Sequence, residues 1–289
     1  MANLEQSPIG VATDVVQLSC MEIWGGNRNI QESFPLPGID AWLRARAYTG
    51  TRGGDIHYLS TCAHSEVLRF AVADVAGHGA EVADVASRFK RLIVKHINKL
   101  DQSRLAKALN AEFHQDNTGG RFVTTLLTSY YRPTGHLVIC NAGHPRPLLY
   151  SAVTQTWTLI DHGTETTLDE LMNLPLGIIE PTDYYQFAIR LYPGDYVVLY
   201  SDGFSDVRRD GVPLGEQGLL DVVRALNFDA ASELGEKICS SLGMDDETNV
   251  PIDDETLIVL APKEHMPPRF PLKTRLKVMA KMLGVVRIQ

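Results

Sequence analysis

Residues 69–79 read RFAVADVAGHG, and the rest of the chain is organised around them. The stretch opens with an apolar run, Phe70-Ala71-Val72-Ala73, that ends at a single carboxylate, Asp74. Gly77 and Gly79 follow, and glycines let a backbone turn sharply and approach a ligand closely. A carboxylate at the end of a buried strand is costly to bury alone, so it usually meets a cation or several hydrogen-bond donors. The stretch therefore predicts a strand that carries Asp74 into a functional turn.

Two further stretches have the same pattern. Residues 195–203 read DYVVLYSDG and end at Asp202, while residues 253–260 read DDETLIVL and begin at Asp253. If these two runs pair antiparallel, the end of one lies beside the start of the other, so Asp202 and Asp253 share one sheet edge. We expect Asp74 to join them from a neighbouring strand. Three converging carboxylates suit a hard divalent cation; the alternative is that each aspartate only caps a turn or helix.

The composition is that of an ordinary soluble globular protein, with 289 residues, 44% hydrophobic and 21% charged. The N-terminus lacks the regions of a signal peptide, and no apolar run approaches a membrane span, so a cytoplasmic protein is expected. The four cysteines form no CxxC pair, which argues against zinc and redox motifs and predicts reduced thiols: Cys20, Cys62, Cys140 and Cys239.

The net charge of −8 is unevenly distributed. From Lys263 onward there are seven basic residues and one acid, which gives +6 and leaves −14 on residues 1–262. This acidic body argues against nucleic acid as the main partner.

The periodicity predicts an α+β domain of two antiparallel sheets packed face to face, with helices outside. Glycines and prolines break the pattern of residues 1–44, which we interpret as an extended N-terminal arm. Residues 52–55 predict a tight turn, and residues 122–140 predict a hairpin. Helices are expected over residues 80–99, 101–115, 215–226 and 230–242, the second of them capped by Asp101.

Six short motifs then occur in order: Gly53-Gly54-Asp55, DVAGHG from Asp74, NAGHP from Asn141, Pro175-Leu176-Gly177, Pro193-Gly194-Asp195 with YSDG at 200–203, and DDETL from Asp253. In these motifs the chain resembles the bacterial SpoIIE/RsbU-type branch of the PP2C (PPM) metal-dependent Ser/Thr protein phosphatases. The resemblance covers residues 45–262 and implies an α-β-β-α sandwich with a two-metal site at one end of the sheets. There are two departures: Ile56-His57-Tyr58 follow the first motif where the family often has a second acid, and Asp206 replaces the usual Glu.

The resemblance implies two Mn²⁺ or Mg²⁺ ions held by Asp55, Asp74, Asp202 and Asp253, with Asp74 bridging them and the carbonyl of Val75 beside it. A water between the ions would attack phosphorus, so Asp74, Asp202 and Asp253 would act in catalysis through that water. His78 is a candidate proton donor to the leaving oxygen, with a structural role as the alternative.

The predicted function is hydrolysis of a phosphoserine or phosphothreonine protein, in this family often a phosphorylated anti-sigma-factor antagonist in a partner-switching pathway. The alternatives are a non-catalytic PP2C-like module that binds a partner and a metal-dependent phosphatase of small molecules. A homodimer or regulatory partner is expected to contact residues 80–115 or the tail. That tail, residues 263–289, predicts a basic amphipathic helix for which docking on protein is favoured over docking on a membrane.

Overall fold

A computed structural model of the chain describes residues 21–62, 65–77, 79–116, 119–161, 172–245 and 251–263. The predicted His78 and residues 264–289 of the predicted tail lie outside these described residues. In chain order the elements are β1 (Met21–Arg28), β2 (Ile30–Leu36), β3 (Ile39–Arg46), β4 (Arg52–Cys62), β5 (Val67–Val75), α1 (Ala80–His96), α2 (Gln102–Asp116), β6 (Val123–Tyr131), β7 (His136–Ala142), β8 (Leu148–Ser151), β9 (Thr156–Leu159), β10 (Gln186–Arg190), β11 (Tyr196–Tyr200), α3 (Asp202–Ser205), β12 (Arg208–Arg209), β13 (Val212–Pro213), α4 (Gly215–Arg224), α5 (Ala231–Ser241) and β14 (Glu255–Pro262).

Two six-stranded antiparallel sheets form the centre of the fold. The first has the strand order β1-β4-β5-β6-β7-β10 and the second β2-β3-β14-β11-β8-β9. Side chains from both sheets, among them Leu43, Phe70 and Leu199, are buried in one shared core. Helices α1 and α2 pack on the outer face of the first sheet, and α4 and α5 on that of the second. The predicted α-β-β-α sandwich is therefore confirmed.

Several local predictions are also confirmed. Helices α1 and α2 lie where the apolar periodicity places them, and the Asp101 carboxylate accepts a hydrogen bond from the Arg104 amide at 3.1 Å, as a cap does. Strands β6 and β7 pair antiparallel across the turn at 132–135, which is the predicted hairpin.

The predicted arm over residues 1–44 is wrong for residues 21–44. They form β1, β2 and most of β3, which pair with strands of both sheets. Strands β1 and β2 lie at sheet edges, where glycine and proline are tolerated. The glycines and prolines that suggested an arm therefore do not end these strands. The domain therefore includes β1, β2 and the whole of β3 and does not begin at residue 45. The predicted turn at residues 52–55 is likewise wrong, because these residues begin β4.

The prediction that all four thiols are reduced is wrong. Cys140 and Cys239 are free and buried, but Cys62 at the end of β4 is disulfide-bonded. Spacing along the chain does not reveal such a pairing, because bonded cysteines can be far apart in sequence. Within the described residues, no helix combines the length and apolar character needed to cross a membrane.

Candidate metal centre

The four predicted carboxylate ligands gather at one end of the sandwich. Asp55 and Asp74 are direct cross-strand neighbours on β4 and β5. Asp202 follows β11 and Asp253 precedes β14, and these two strands pair antiparallel, so both aspartates lie at one edge of the second sheet. Asp74 therefore faces Asp202 and Asp253 from the opposite sheet, not from a neighbouring strand as the sequence suggested.

Burial and like charges make these carboxyl groups hard to ionise together. Burial, followed by the charges of Asp202 and Asp253, raises the pKa of Asp74 to about 8. Burial and Asp253 raise the pKa of Asp202 to about 6. Burial and the neighbouring Asp74 also raise the pKa of Asp55 well above its usual range. Since each shift reflects a carboxylate without enough compensating charge, a bound cation would favour ionisation of all three groups.

Ser201 joins the two sheets at this edge. Its hydroxyl donates a hydrogen bond to Asp55 Oδ2 at 2.5 Å and accepts one from the Thr256 amide at 2.9 Å. Asp55 comes from the first sheet and Thr256 from the second. This fully buried serine therefore fixes the candidate ligand Asp55 relative to β14, the strand that follows the candidate ligand Asp253. Ser201 was not among the predicted site residues, although it stands inside the YSDG motif.

Asp254 holds the beginning of β4 against the second sheet. This buried carboxylate accepts hydrogen bonds from the Gly54 amide at 2.5 Å and the Tyr48 amide at 2.6 Å. Gly54 leaves no room for a side chain, because a Cβ there would lie 2.7 Å from Val82 Cγ1 and 3.2 Å from the Val75 carbonyl oxygen. The glycine therefore permits the close approach of β4 to the carbonyl that is a predicted ligand.

The donor set fits a hard divalent cation. All of the candidate side-chain ligands are carboxylates, and Mg²⁺ and similar ions prefer oxygen ligands supplemented by several waters. Asp55 Oδ1 is buried and has no hydrogen-bond partner within the described residues, which leaves an oxygen available to an ion. Across those same residues, no group of three or more histidine, cysteine, aspartate or glutamate side chains forms a complete ion-binding cluster. Water ligands and small side-chain movements would have to complete the coordination of a cation.

Three further polar side chains have different surroundings. His144 is buried, its Nδ1 lies 2.9 Å from Thr124 Oγ1, and burial lowers its pKa to about 4, as expected of a packing residue. Arg52 pairs with the exposed Asp84 at 2.6 Å. Arg121 donates to the Ala76 carbonyl at 3.2 Å and so supports the turn that follows Val75.

Comparison with known proteins gives consistent matches. The family model described as Stage II sporulation protein E (SpoIIE) matches residues 64–263. Phosphoserine phosphatase RsbU of Bacillus subtilis (strain 168) is 29% identical over 199 residues, which are 68% of this chain and 56% of RsbU. The chain thus spans little more than half the length of that relative.

Several solved structures share the fold. The PP2C phosphatase domain of SpoIIE from Bacillus subtilis, solved with a fragment of its regulatory domain, gives a TM-score of 0.64 at 15% identity and covers 86% of this chain and 72% of that one. RsbX in complex with magnesium gives a TM-score of 0.58 at 16% identity and covers 81% of this chain and 100% of that one. At such identities the likeness establishes the PP2C fold.

Proposed function

Because the chain belongs to the SpoIIE family, we propose that it is a metal-dependent phosphatase of proteins phosphorylated on serine or threonine. The observation that carries the proposal is the meeting of Asp55, Asp74, Asp202 and Asp253 at one end of two facing sheets. Their mutual repulsion gives this edge a strong preference for cations. The name of the relative RsbU, a phosphoserine phosphatase, supports the substrate class.

Two Mg²⁺ or Mn²⁺ ions are the proposed cofactors, and the RsbX structure with magnesium supports a divalent cation. Asp55, Asp74, Asp202, Asp253 and the Val75 carbonyl would hold them. The bound ions would supply an activated water for in-line attack on phosphorus and offset charge on the phosphoryl oxygens.

The protein's own contribution is to hold these ligands in place before substrate arrives. Asp74 lies between the acids of the two sheets, Ser201 orients Asp55, and Asp254 fixes the backbone beside Asp55. Such preorganisation lets the site act on a phosphoryl group without rearranging ligands during the reaction. A protein nucleophile is not required by this scheme.

The site favours a phosphoprotein over a small phosphorylated metabolite. Within the described residues, the four carboxylates line neither of two cavities of about 840 and 860 Å³, and the relative RsbU is by name a phosphoserine phosphatase. A phosphorylated anti-sigma-factor antagonist in a bacterial, cytoplasmic partner-switching pathway is the proposed protein substrate. Presence of all four carboxylates argues against a purely non-catalytic module.

Hydrolysis of p-nitrophenyl phosphate tests the proposed activity. The full chain should release p-nitrophenol with Mn²⁺ or Mg²⁺ and stop when EDTA is added in excess. An Asp74→Asn variant should be inactive under the same conditions and still fold, as circular dichroism would report. Activity that persists in EDTA, or in Asp74→Asn, would overturn the assignment of these residues.

A further inference from the structure

The loop that carries the Pro175-Leu176-Gly177 motif is held firmly against the first sheet. Leu176 and Val123 exchange two backbone hydrogen bonds, of 2.9 and 2.7 Å. The buried Asn110 on α2 accepts a hydrogen bond from the Gly177 amide at 2.7 Å and donates one to the Ile179 carbonyl at 2.8 Å. Gly177 has φ 90°, and a Cβ there would lie 2.8 Å from the Phe113 ring. The loop therefore has little freedom to move relative to α2 and β6.

This fixed loop nevertheless exposes large apolar side chains. Ile178 is 45% exposed, Ile179 41% and Phe122 39%. The Leu176–Val123 pairing places Gly177 opposite Phe122, and Ile178 and Ile179 are the next two residues of the loop, where it turns towards Asn110 on α2. We call Phe122, Ile178 and Ile179 the rim patch. Exposed apolar side chains that are grouped and rigidly held are typical of interaction sites.

The rim patch adjoins the candidate metal centre. The Phe122 carbonyl accepts a hydrogen bond from the Ala76 amide at 3.0 Å, and Val123 is the cross-strand partner of Val75. Two strand spacings separate the turn at Ala76 from Gly177, a distance of about 10 Å. An extended peptide covers about 10 Å in three residues. A side chain roughly two to four positions from a phosphoserine in the metal centre would therefore reach the rim patch.

We propose that the rim patch binds apolar side chains near the phosphorylated residue of a protein substrate. This inference rests on the proposed phosphatase function and adds a determinant of substrate choice. The patch adjoins the turn that presents the predicted Val75 ligand, and Arg121 supports that turn by donating to the Ala76 carbonyl at 3.2 Å while it pairs with Glu81 at 3.3 Å. A small aryl phosphate lacks the flanking side chains that the patch would bind.

Two synthetic phosphoserine peptides and p-nitrophenyl phosphate test the proposal. One peptide has leucines two to four positions on either side of the phosphoserine, and the other has serines at those positions. The wild-type chain should hydrolyse the leucine peptide with a kcat/KM about tenfold higher, which is the effect expected from burying one or two apolar side chains. Phe122→Ser and Ile178→Ser should each reduce that preference severalfold through KM, with p-nitrophenyl phosphate hydrolysis unchanged.

The matched control is Val153→Ser, which removes an 80% exposed apolar side chain from the turn between β8 and β9. It should keep the full preference for the leucine peptide. Equal kcat/KM for both peptides in the wild type, or a preference that survives both patch substitutions, would overturn the proposal. Equal losses on p-nitrophenyl phosphate and peptide would also overturn it, because they would indicate a structural role. Failure of the wild type to hydrolyse p-nitrophenyl phosphate would instead overturn the phosphatase function itself.

Discussion

At the residue scale, the candidate centre places carboxylates where they repel one another. Burial raises the pKa of Asp74 and Asp202, and neighbouring carboxylates raise both further. This arrangement is unfavourable for the metal-free fold and favourable for binding a cation, as is common where function and stability compete. Substitutions that neutralise one of these carboxylates should therefore change metal affinity and metal-free stability in opposite directions.

Asp202→Asn should show this opposition. Removing one negative ligand should weaken Mn²⁺ binding and turnover by roughly a hundredfold or more, since even residues that only support ligands commonly change affinity 10–100-fold. The metal-free variant should be at least as stable as the wild type, because the repulsion between Asp202 and Asp253 is gone. Calorimetric titration and urea unfolding in EDTA measure the two effects. Asp210→Asn, at an exposed position, is the control, and wild-type affinity in Asp202→Asn would contradict the assignment.

Ser201→Ala should destabilise the protein and weaken the metal centre together. The substitution removes the donor to Asp55 Oδ2 and the acceptor for the Thr256 amide, both buried. A buried polar group left without its partner costs about 1–3 kcal/mol, which urea unfolding would detect. Mn²⁺ affinity should fall about tenfold because Asp55 loses its orienting bond. Ser240→Ala, at an exposed position of α5, should change neither the free energy of unfolding nor the Mn²⁺ affinity. If Ser201→Ala also changed neither quantity, the hydrogen bonds of Ser201 would be dispensable for the metal centre.

Asp74, Asp202 and Asp253 could be chosen from sequence because each stands where an apolar run meets a turn, whereas Asp55 became a candidate only through the resemblance of its Gly-Gly-Asp motif. Ser201 could not, because its role exists only once β11 lies opposite β4 in the other sheet. Asp254 could be separated from Asp253 only by its contacts, since two adjacent acids look alike in a sequence. Through its hydrogen bonds from the Gly54 and Tyr48 amides, the buried Asp254 links the two sheets.

At the scale of elements, the edge strands were the hardest to predict. Strand β1 contains Gly25 and Gly26 and has two register shifts against β4, while β2 contains Pro35. A Cβ at Gly25 would lie 2.8 Å from the Tyr58 ring, so the glycine serves packing and does not end the strand. Helices α1 and α2, by contrast, have a regular apolar face and could be read directly from periodicity.

Asn27→Ala tests whether β1 belongs to the functional domain. The buried Asn27 amide donates to the Gly53 carbonyl at 2.8 Å and to the Ala83 carbonyl at 2.9 Å, so it ties β1 to β4 and α1 near the candidate centre. Loss of both bonds should lower the free energy of unfolding by about 1–3 kcal/mol. Gln31→Ala, exposed on β2, should leave it within about 0.5 kcal/mol of the wild type. If the two variants had indistinguishable unfolding midpoints, β1 would be an arm that the domain does not need for stability.

At the scale of the whole molecule, the sequence could predict two sheets but not which sheet carries each ligand. The pattern at residues 69–79 identifies a strand, and its pairing partners depend on contacts far along the chain. Asp74 and Asp202 thus lie on opposing layers, and the candidate centre joins the two halves of the sandwich. Binding of a cation there should stabilise the entire fold, since a ligand that binds only the native state shifts the unfolding equilibrium.

The pH dependence of stability follows from this arrangement. The pKa of Asp74 rises from 3.8 to about 8 on folding, and that of Asp55 also rises well above 3.8. The folded, metal-free chain therefore retains protons that the unfolded chain has already released, so its stability falls as the pH rises towards 8. The buried His57 and His144, with pKa values lowered to about 4, cost stability only below about pH 6.5, where the unfolded chain protonates them.

Between pH 6.5 and pH 8, the change in stability with pH therefore reports on Asp55 and Asp74 and not on His57 or His144. In EDTA, the free energy of unfolding should fall by a few kcal/mol across this window, measured by urea titration at each pH. With saturating Mg²⁺ the trend should disappear or reverse, because ligands must be deprotonated to bind and metal affinity rises with pH. Asp74→Asn should flatten the trend in EDTA while Asp210→Asn keeps it. A metal-free wild type whose stability stays level or rises between pH 6.5 and pH 8 would show that these aspartates are not held together as the structure places them.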